Sequence, residues 1–304
     1  MKTHLLVLIA PIALLAASCA TSSEAQYWVP SSHAGPQVET EQECKALNGV
    51  WDRHSTESLA LSCAGWCEPG TETSLALLPI STAAGAQTFR TEKHEVRVVT
   101  VAKGLAHPWG MAFLPDGRLL VTLKGGALVI VAADGRGTPA AVSGVPAVVA
   151  SGQGGLLGIA IDPDFATDPW VYLAFTEAGA GGTAGTAVFR GRLAGNALLN
   201  GQVIFRQTPK VSGTGHFGAR IVFRPDKTLY VALGERQQGS PAQDVATTLG
   251  KIVRIARDGT IPADNPMIAG AATGVWSYGH RNPQGAALHP DTGALWVAEH
   301  GPQG

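Results

Sequence analysis

From about residue 95 onward, apolar residues fall in short runs, each closed by turn residues. One run recurs. Gly110-Met111-Ala112-Phe113-Leu114-Pro115-Asp116 returns as Gly158-Ile159-Ala160-Ile161-Asp162-Pro163-Asp164 and as Gly285-Ala286-Ala287-Leu288-His289-Pro290-Asp291. A further copy, Arg220-Ile221-Val222-Phe223-Arg224-Pro225-Asp226, keeps the apolar run and the Pro-Asp pair. After each Pro-Asp comes a segment rich in β-branched and aromatic residues: 119–123, 170–175, 229–233 and 295–298. Proline cannot donate to a sheet ladder, so Pro-Asp between two such runs predicts a hairpin turn. Further strands are predicted at 127–131, 186–193 and 251–255, the last running into an Asp258-Gly259 turn.

Three to four strands in a unit of about fifty residues match one blade of a β-propeller. A β-helix needs a much shorter period, and a two-sheet sandwich does not repeat a turn so faithfully. The prediction is an all-β propeller with about four blades between residue 95 and Gly304, the last stopping after two strands. A propeller closes into a ring to remove its sheet edges. Four partial blades do not, so a carboxy-terminal part is expected to be missing from this sequence.

Composition agrees with this picture. The 304 residues include 38 glycines and 19 prolines, and only 15% are charged, against about 25% in an ordinary domain. That argues against a coiled coil, a helical bundle and a charged disordered tail. A formal net charge of −1 removes any broad electrostatic case for nucleic-acid binding. Length alone is a prior for about two domains. The repeat replaces it with a signal segment (1–19), a small cysteine-bearing segment (20–90) and a partial propeller (91–304).

Met1-Lys2-Thr3-His4 precedes an apolar run from Leu5 to Ala17, too short for the ~20 helical residues that span a bilayer. It has the form of a secretory signal. Leu15-Ala16-Ala17-Ser18-Cys19 resembles a bacterial lipobox, in which Cys19 would carry a lipid anchor to the membrane; an ordinary signal cleaved nearby is the alternative. Either way the expected location is the oxidising periplasm. There a bridge from Cys44 to Cys63 or to Cys67 is open, and spacing does not choose between them.

The repeat register gathers scattered polar residues. In a propeller the first strand of each blade lines the central channel, so loops entering those strands share one face. Just before them lie His107, Gln153, His216 and Arg281-Asn282; the returning second strands deliver Lys124, Glu235-Arg236 and Glu299-His300-Gly301-Pro302. Such a mouth is where a propeller holds a small ligand. Taken singly, His107 beside Pro108 reads as a turn residue, Gln153 as a loop hydrogen-bonder, Arg281 as a salt-bridged arginine, and Lys124 and Glu235 as solvated or paired at the rim. His216 stands in the glycine-rich Ser212-Gly213-Thr214-Gly215-His216-Phe217-Gly218, which suits an imidazole presented for chemistry.

At these loops the sequence resembles a known family. Gly152-Gln153-Gly154-Gly155-Leu156-Leu157-Gly158, His216-Phe217-Gly218, Leu249-Gly250-Lys251-Ile252-Val253-Arg254, Ile261-Pro262-Ala263-Asp264-Asn265-Pro266, Tyr278-Gly279-His280-Arg281-Asn282-Pro283-Gln284-Gly285 and Glu299-His300-Gly301-Pro302 are similar to the soluble quinoprotein glucose/sorbosone dehydrogenases. The nearest likeness is to the periplasmic aldose sugar dehydrogenases that use pyrroloquinoline quinone (PQQ), and it covers roughly residues 95–304. The resemblance implies a six-bladed propeller holding PQQ and Ca²⁺ in its mouth, and oxidation of an aldose at C1 to the lactone. It places the general base at His216, quinone contacts at Gln153, Arg281 and Asn282, and calcium-ligating carbonyls at Gly301 and Pro302. Gly215 stands where the glucose dehydrogenase branch carries an aspartate that orients the base, so the orienting group is unassigned. The family's segment beyond Gly-Pro, which supplies further calcium and quinone contacts, has no counterpart before Gly304. The electron acceptor is not identified. The competing expectations are a calcium-dependent sugar lactonase and a non-catalytic exported binding propeller.

Overall fold

The computed structural model describes residues 86–301 and, as backbone only, three short strands, Leu6–Val7, Gly49–Asp52 and Trp66–Pro69. Cys19, Cys44, Cys63, the side chain of Cys67, and Pro302 lie outside the described residues, with the expectations attached to them. Apart from its first ten residues the chain divides into two compact units, up to Val99 and from Thr100 on. In the first, Gly49–Asp52 pairs with Trp66–Pro69 and Ala86–Arg90 with Glu95–Val99, both antiparallel. Thr91 closes the second hairpin, its hydroxyl donating to His94 O at 2.8 Å and accepting from His94 N. Among the described residues no helix is long and apolar enough to cross a membrane.

The second unit is a series of propeller blades, each an antiparallel sheet ordered as in the sequence. Blade 1 holds β1 (Pro108–Phe113), β2 (Leu119–Leu123), β3 (Ala127–Val131) and β4 (Ala140–Val142). Blade 2 holds β5 (Leu156–Ile161), β6 (Trp170–Ala178), β7 (Ala184–Ala194) and β8 (Ala197–Arg206). Blade 3 holds β9 (Gly218–Phe223), β10 (Leu229–Leu233), β11 (Lys251–Ile255) and β12 (Val275–Tyr278). The fourth sheet has β13 (Pro283–Leu288) and β14 (Leu295–Glu299). Each Pro-Asp pair falls in the hairpin between the first and second strands; in blade 1, Gly117 N donates to Leu114 O and Leu114 N to Arg118 O.

Strand period 2 explains the layering. On β6, Val171, Leu173 and Phe175 face blade 1 and pack with Leu120, Leu128, Ile130 and Val142. The alternate residues Tyr172 and Ala174 face blade 3 and pack with Phe217, Ile221, Val231 and Val253. A strand buried on both faces must read as an unbroken apolar run, as this one does. Each fully buried side chain of this size contributes about 1.5–3 kcal/mol.

In the first two of its copies the repeated glycine is the close-approach point between blades. A Cβ on Gly110 would stand 2.8 Å from Leu157 O, and one on Gly158 only 1.9 Å from Ala219 O. Buried threonines bridge the same gaps: Thr122 donates to Leu157 O at 2.6 Å and Thr186 to Phe217 O at 2.7 Å. In the copy that lacks the glycine, Arg220 stacks on Trp109 with its guanidinium 4.7 Å from the ring centre.

Each first strand opens with a break in register against the second, at Pro108/Gly110, Leu156/Ile159, Gly218/Ile221 and Pro283/Gly285. Such bulges bend the strand and re-aim what precedes it. What precedes it, in every blade, is a mouth loop.

Candidate active site

The loop before β9 carries His216 and the loop after β10 carries Glu235 and Arg236. His216 adopts φ 51°, a left-handed conformation costing a non-glycine residue roughly 1 kcal/mol or more. Three contacts hold it there. Its N–H donates to Gln153 Oε1 at 2.8 Å, its carbonyl accepts from Arg236 N at 3.1 Å, and its ring Nδ1 hydrogen-bonds Glu235 Oε1. Gln153 N donates to Thr214 O at 2.8 Å, so Gln153 clasps this loop at two points.

Of the two readings the sequence left open for Glu235, solvated or paired, the structure shows the paired one. It is only 4% exposed, and its second oxygen accepts from Gly239 N at 2.7 Å. One carboxyl oxygen thus holds Gly239 N and the other lies against Nδ1 of His216. A carboxylate at Nδ1 favours the tautomer that carries its proton there and leaves the lone pair on Nε2. Among the described residues Nε2 has no hydrogen-bond partner. Glu235 is thus the orienting group that no motif named. The register argument had placed it at the mouth; what the sequence could not show is that His216 and a backbone amide both converge on it.

The loop before β13 closes the site. Arg281 O accepts from Glu235 N at 2.9 Å. Its guanidinium donates to His300 O at 2.8 Å, in place of the expected salt bridge. Asn282 is buried, with Oδ1 accepting from Gly218 N at 3.2 Å and Nδ2 lacking any partner among the described residues. This loop hangs on Glu299, which accepts from Arg281 N at 2.7 Å and from His280 Nδ1 at 2.6 Å. His280 Nε2 meets Ser277 Oγ at 2.7 Å. Burial pushes the Glu299 carboxyl up, but the His280 ring and the amides of Arg281 and Asn282 outweigh it and hold the group below the usual carboxylate range.

The structure thus links Gln153, His216, Arg281 and Asn282 through short hydrogen bonds, with Gly301 exposed next to His300. His107 stands apart. It is exposed, with φ 49°, and its carbonyl accepts from Lys124 N at 3.0 Å, a turn role. The Lys124 ammonium donates to Gly152 O, bracing the Gln153 loop. Among the described residues no group of three or more His, Cys, Asp or Glu side chains is placed to hold a metal ion; the expected calcium ligands are carbonyls.

Comparison with known proteins gives a consistent set of relatives. A family model for glucose/sorbosone dehydrogenase matches residues 105–304. The chain is 48% identical over 214 residues to the aldose sugar dehydrogenase YliI of Escherichia coli strain K12, covering 69% of this chain and 57% of the relative. The crystal structure of the soluble aldose sugar dehydrogenase (Asd) from Escherichia coli, in its apo-form, superposes with TM-score 0.63 at 48% identity, covering 66% of this chain and 59% of that one. The PQQ-bound aldose sugar dehydrogenase (Adh) from Streptomyces coelicolor superposes with TM-score 0.59 at 37% identity, covering 74% and 62%. The chain spans about three fifths of the length of these relatives.

Proposed function

The chain belongs to the glucose/sorbosone dehydrogenase family, and from that premise we propose that it oxidises an aldose at C1 to the lactone, with PQQ and Ca²⁺, using His216 as general base. The observation that carries the mechanism is the His216–Glu235 pair. Nε2 takes the proton of the C1 hydroxyl, and the Glu235 carboxylate stabilises the imidazolium that forms. General-base assistance of this kind contributes about 10²–10⁴ in rate. Because Glu235 is also held by Gly239 N, the ring keeps one orientation through the transfer.

The donor set suits a quinone. Asn282 Nδ2 is a buried amide donor beside the His216 loop with no hydrogen-bond partner among the described residues, and Arg281 adds a fixed cation; both are suited to an oxygen that gains negative charge. These two residues and Gln153 would hold PQQ, and the carbonyls of Gly301 and Pro302 would ligate Ca²⁺ as hard oxygen donors. When bound, PQQ would supply a two-electron acceptor for the hydride leaving C1, and Ca²⁺ would supply Lewis acidity. The PQQ-bound relative supports this assignment. Export to the periplasm, with a lipid anchor through Cys19, belongs to the same proposal, and the electron acceptor is left open.

The test is dye reduction by the protein reconstituted with PQQ and Ca²⁺ and given aldoses, with His216→Ala expected to abolish it. Full activity in His216→Ala sinks the mechanism. Lactone hydrolysis without PQQ would instead select a hydrolase, and sugar binding without PQQ uptake a binding module. Membrane fractionation before and after Cys19→Ala tests the anchor.

A further inference from the structure

Directly after Glu235 comes a buried cation that the chemistry above does not use. Arg236 is fully buried, yet every group it touches is neutral. Its Nε donates to Gly215 O at 2.9 Å, Nη2 to Gly213 O and Nη1 to Ala184 O. The guanidinium carbon lies 3.7 Å from the centre of the Phe217 ring. No carboxylate pairs with it among the described residues; the adjacent Glu235 spends its oxygens on His216 and Gly239. A buried guanidinium that no carboxylate touches is costly to desolvate, and the charge of the neighbouring Glu235 only partly offsets this.

All but one of these contacts fall on a single loop. Gly213, Gly215 and Phe217 bracket His216, and the Arg236 backbone N–H takes the carbonyl of His216 itself. The loop is wound around the guanidinium, with Gly213 at φ 97° and His216 at φ 51°. The Arg236 residue is equally contorted at φ 60°. Unusual backbone of this kind persists only where its surroundings over-determine it. Ala184 opens β7, so the same side chain ties the loop to blade 2. Arginine suits the task because its planar fork presents several donors in fixed directions, which a lysine ammonium does not. Burial lowers the guanidinium to about 10, so it is still charged at neutral pH.

We propose that Arg236 is a positioning residue for His216: its guanidinium is the template that winds the Gly213–Phe217 loop and so seats the imidazole Nδ1 on Glu235. The placement is a statement about this chain's own residues. Its effect on turnover rests on the reading of His216 as the base.

The test uses the full chain with ¹⁵N-labelled histidine and two variants, Arg236→Lys, which keeps the charge and loses the fork, and Arg236→Met, which keeps the bulk. In the parent protein without added PQQ or Ca²⁺, the Nδ1 proton of His216 should give a sharp, strongly downfield signal, assigned by its absence in His216→Ala. Both variants are expected to lose it while keeping cooperative unfolding. In reconstituted protein, kcat should fall by about tenfold or more with KM within about threefold, as for a base held out of place. A retained signal in both variants overturns the proposal whatever the rate. Loss of the fold in both also overturns it, since the guanidinium would then be holding the blade rather than the loop. Loss of the signal with unchanged turnover upholds the placement and counts against His216 as base.

Discussion

Replacing Glu235 by glutamine inverts the chemistry of the imidazole with almost no change in shape. The structure dictates how the new amide must lie. One oxygen of Glu235 accepts from Gly239 N at 2.7 Å, and that donor cannot turn away. The glutamine carbonyl must therefore take the Gly239 bond, leaving its NH₂ facing Nδ1 of His216. Nδ1 must then accept, which moves the ring proton to Nε2, the atom that should receive the proton from substrate. The base is lost while every hydrogen bond is kept. A carboxylate-to-amide change behind a catalytic imidazole costs on the order of 10⁴ in kcat where the tautomer is fully locked, and general-base catalysis as a whole about 10²–10⁴. A fall in kcat of about 10²–10⁴ is therefore expected, equivalent to ~3–5 kcal/mol in the barrier. Two charge-assisted bonds become neutral ones, so the fold should lose only about 1–3 kcal/mol. Stopped-flow dye reduction gives the rate, and ¹⁵N spectra of the His216 ring give the tautomer. Turnover within about threefold of the parent, with the ring proton moved to Nε2, would refute the assignment of His216 as the base.

Three further outcomes follow from the same contacts. Asn282→Leu leaves Gly218 N buried without its acceptor and should cost about 1–3 kcal/mol in urea unfolding, together with weaker retention of PQQ on gel filtration; unchanged retention would remove Asn282 from the cofactor site. Gly158→Ala drives a methyl to 1.9 Å from Ala219 O, and since over-packing costs about 1–3 kcal/mol or more, the variant should melt several degrees lower, whereas an unchanged melting temperature would mean the inner strands do not meet as described. Glu177 is pushed up by burial but held below its ordinary value by Lys210 and Arg206. Its folded form thus binds fewer protons than the unfolded chain, and the stability this contributes is complete above the unfolded carboxylate pKa and is lost as pH falls through the depressed folded one. Glu177→Gln should flatten that acid limb of the unfolding free energy, measured by urea titration, by up to ~1 kcal/mol.

The propeller was legible because its signal is repetitive. Runs at 119–123, 127–131, 229–233 and 251–255 form strands with those bounds, since a mostly apolar run buried on both faces and bounded by turns leaves the chain few choices. The strands predicted at 170–175 and 186–193 run longer, because the ladder continues through Glu177 and Ala178 paired with Gly185 and Ala184, residues of low strand propensity. The gathering of His216, Gln153, Arg281 and Asn282 at one mouth could also be read, as it follows from register alone. Glu235 and Arg236 could not be understood that way. From sequence Glu235 reads as solvated or paired at the rim, and only the folded loops show that it is spent on a histidine and Arg236 on carbonyls.

The bulge at the start of each first strand has a consequence for how such a molecule can change. A surplus residue is absorbed before the ladder resumes, so the loop ahead of it can grow, shrink or be exchanged without shifting the register of the sheet behind it. Each blade is then a socket of fixed pitch into which a different loop can be plugged, and the reach toward a ligand can be retuned one loop at a time while the inner strands keep their close approach.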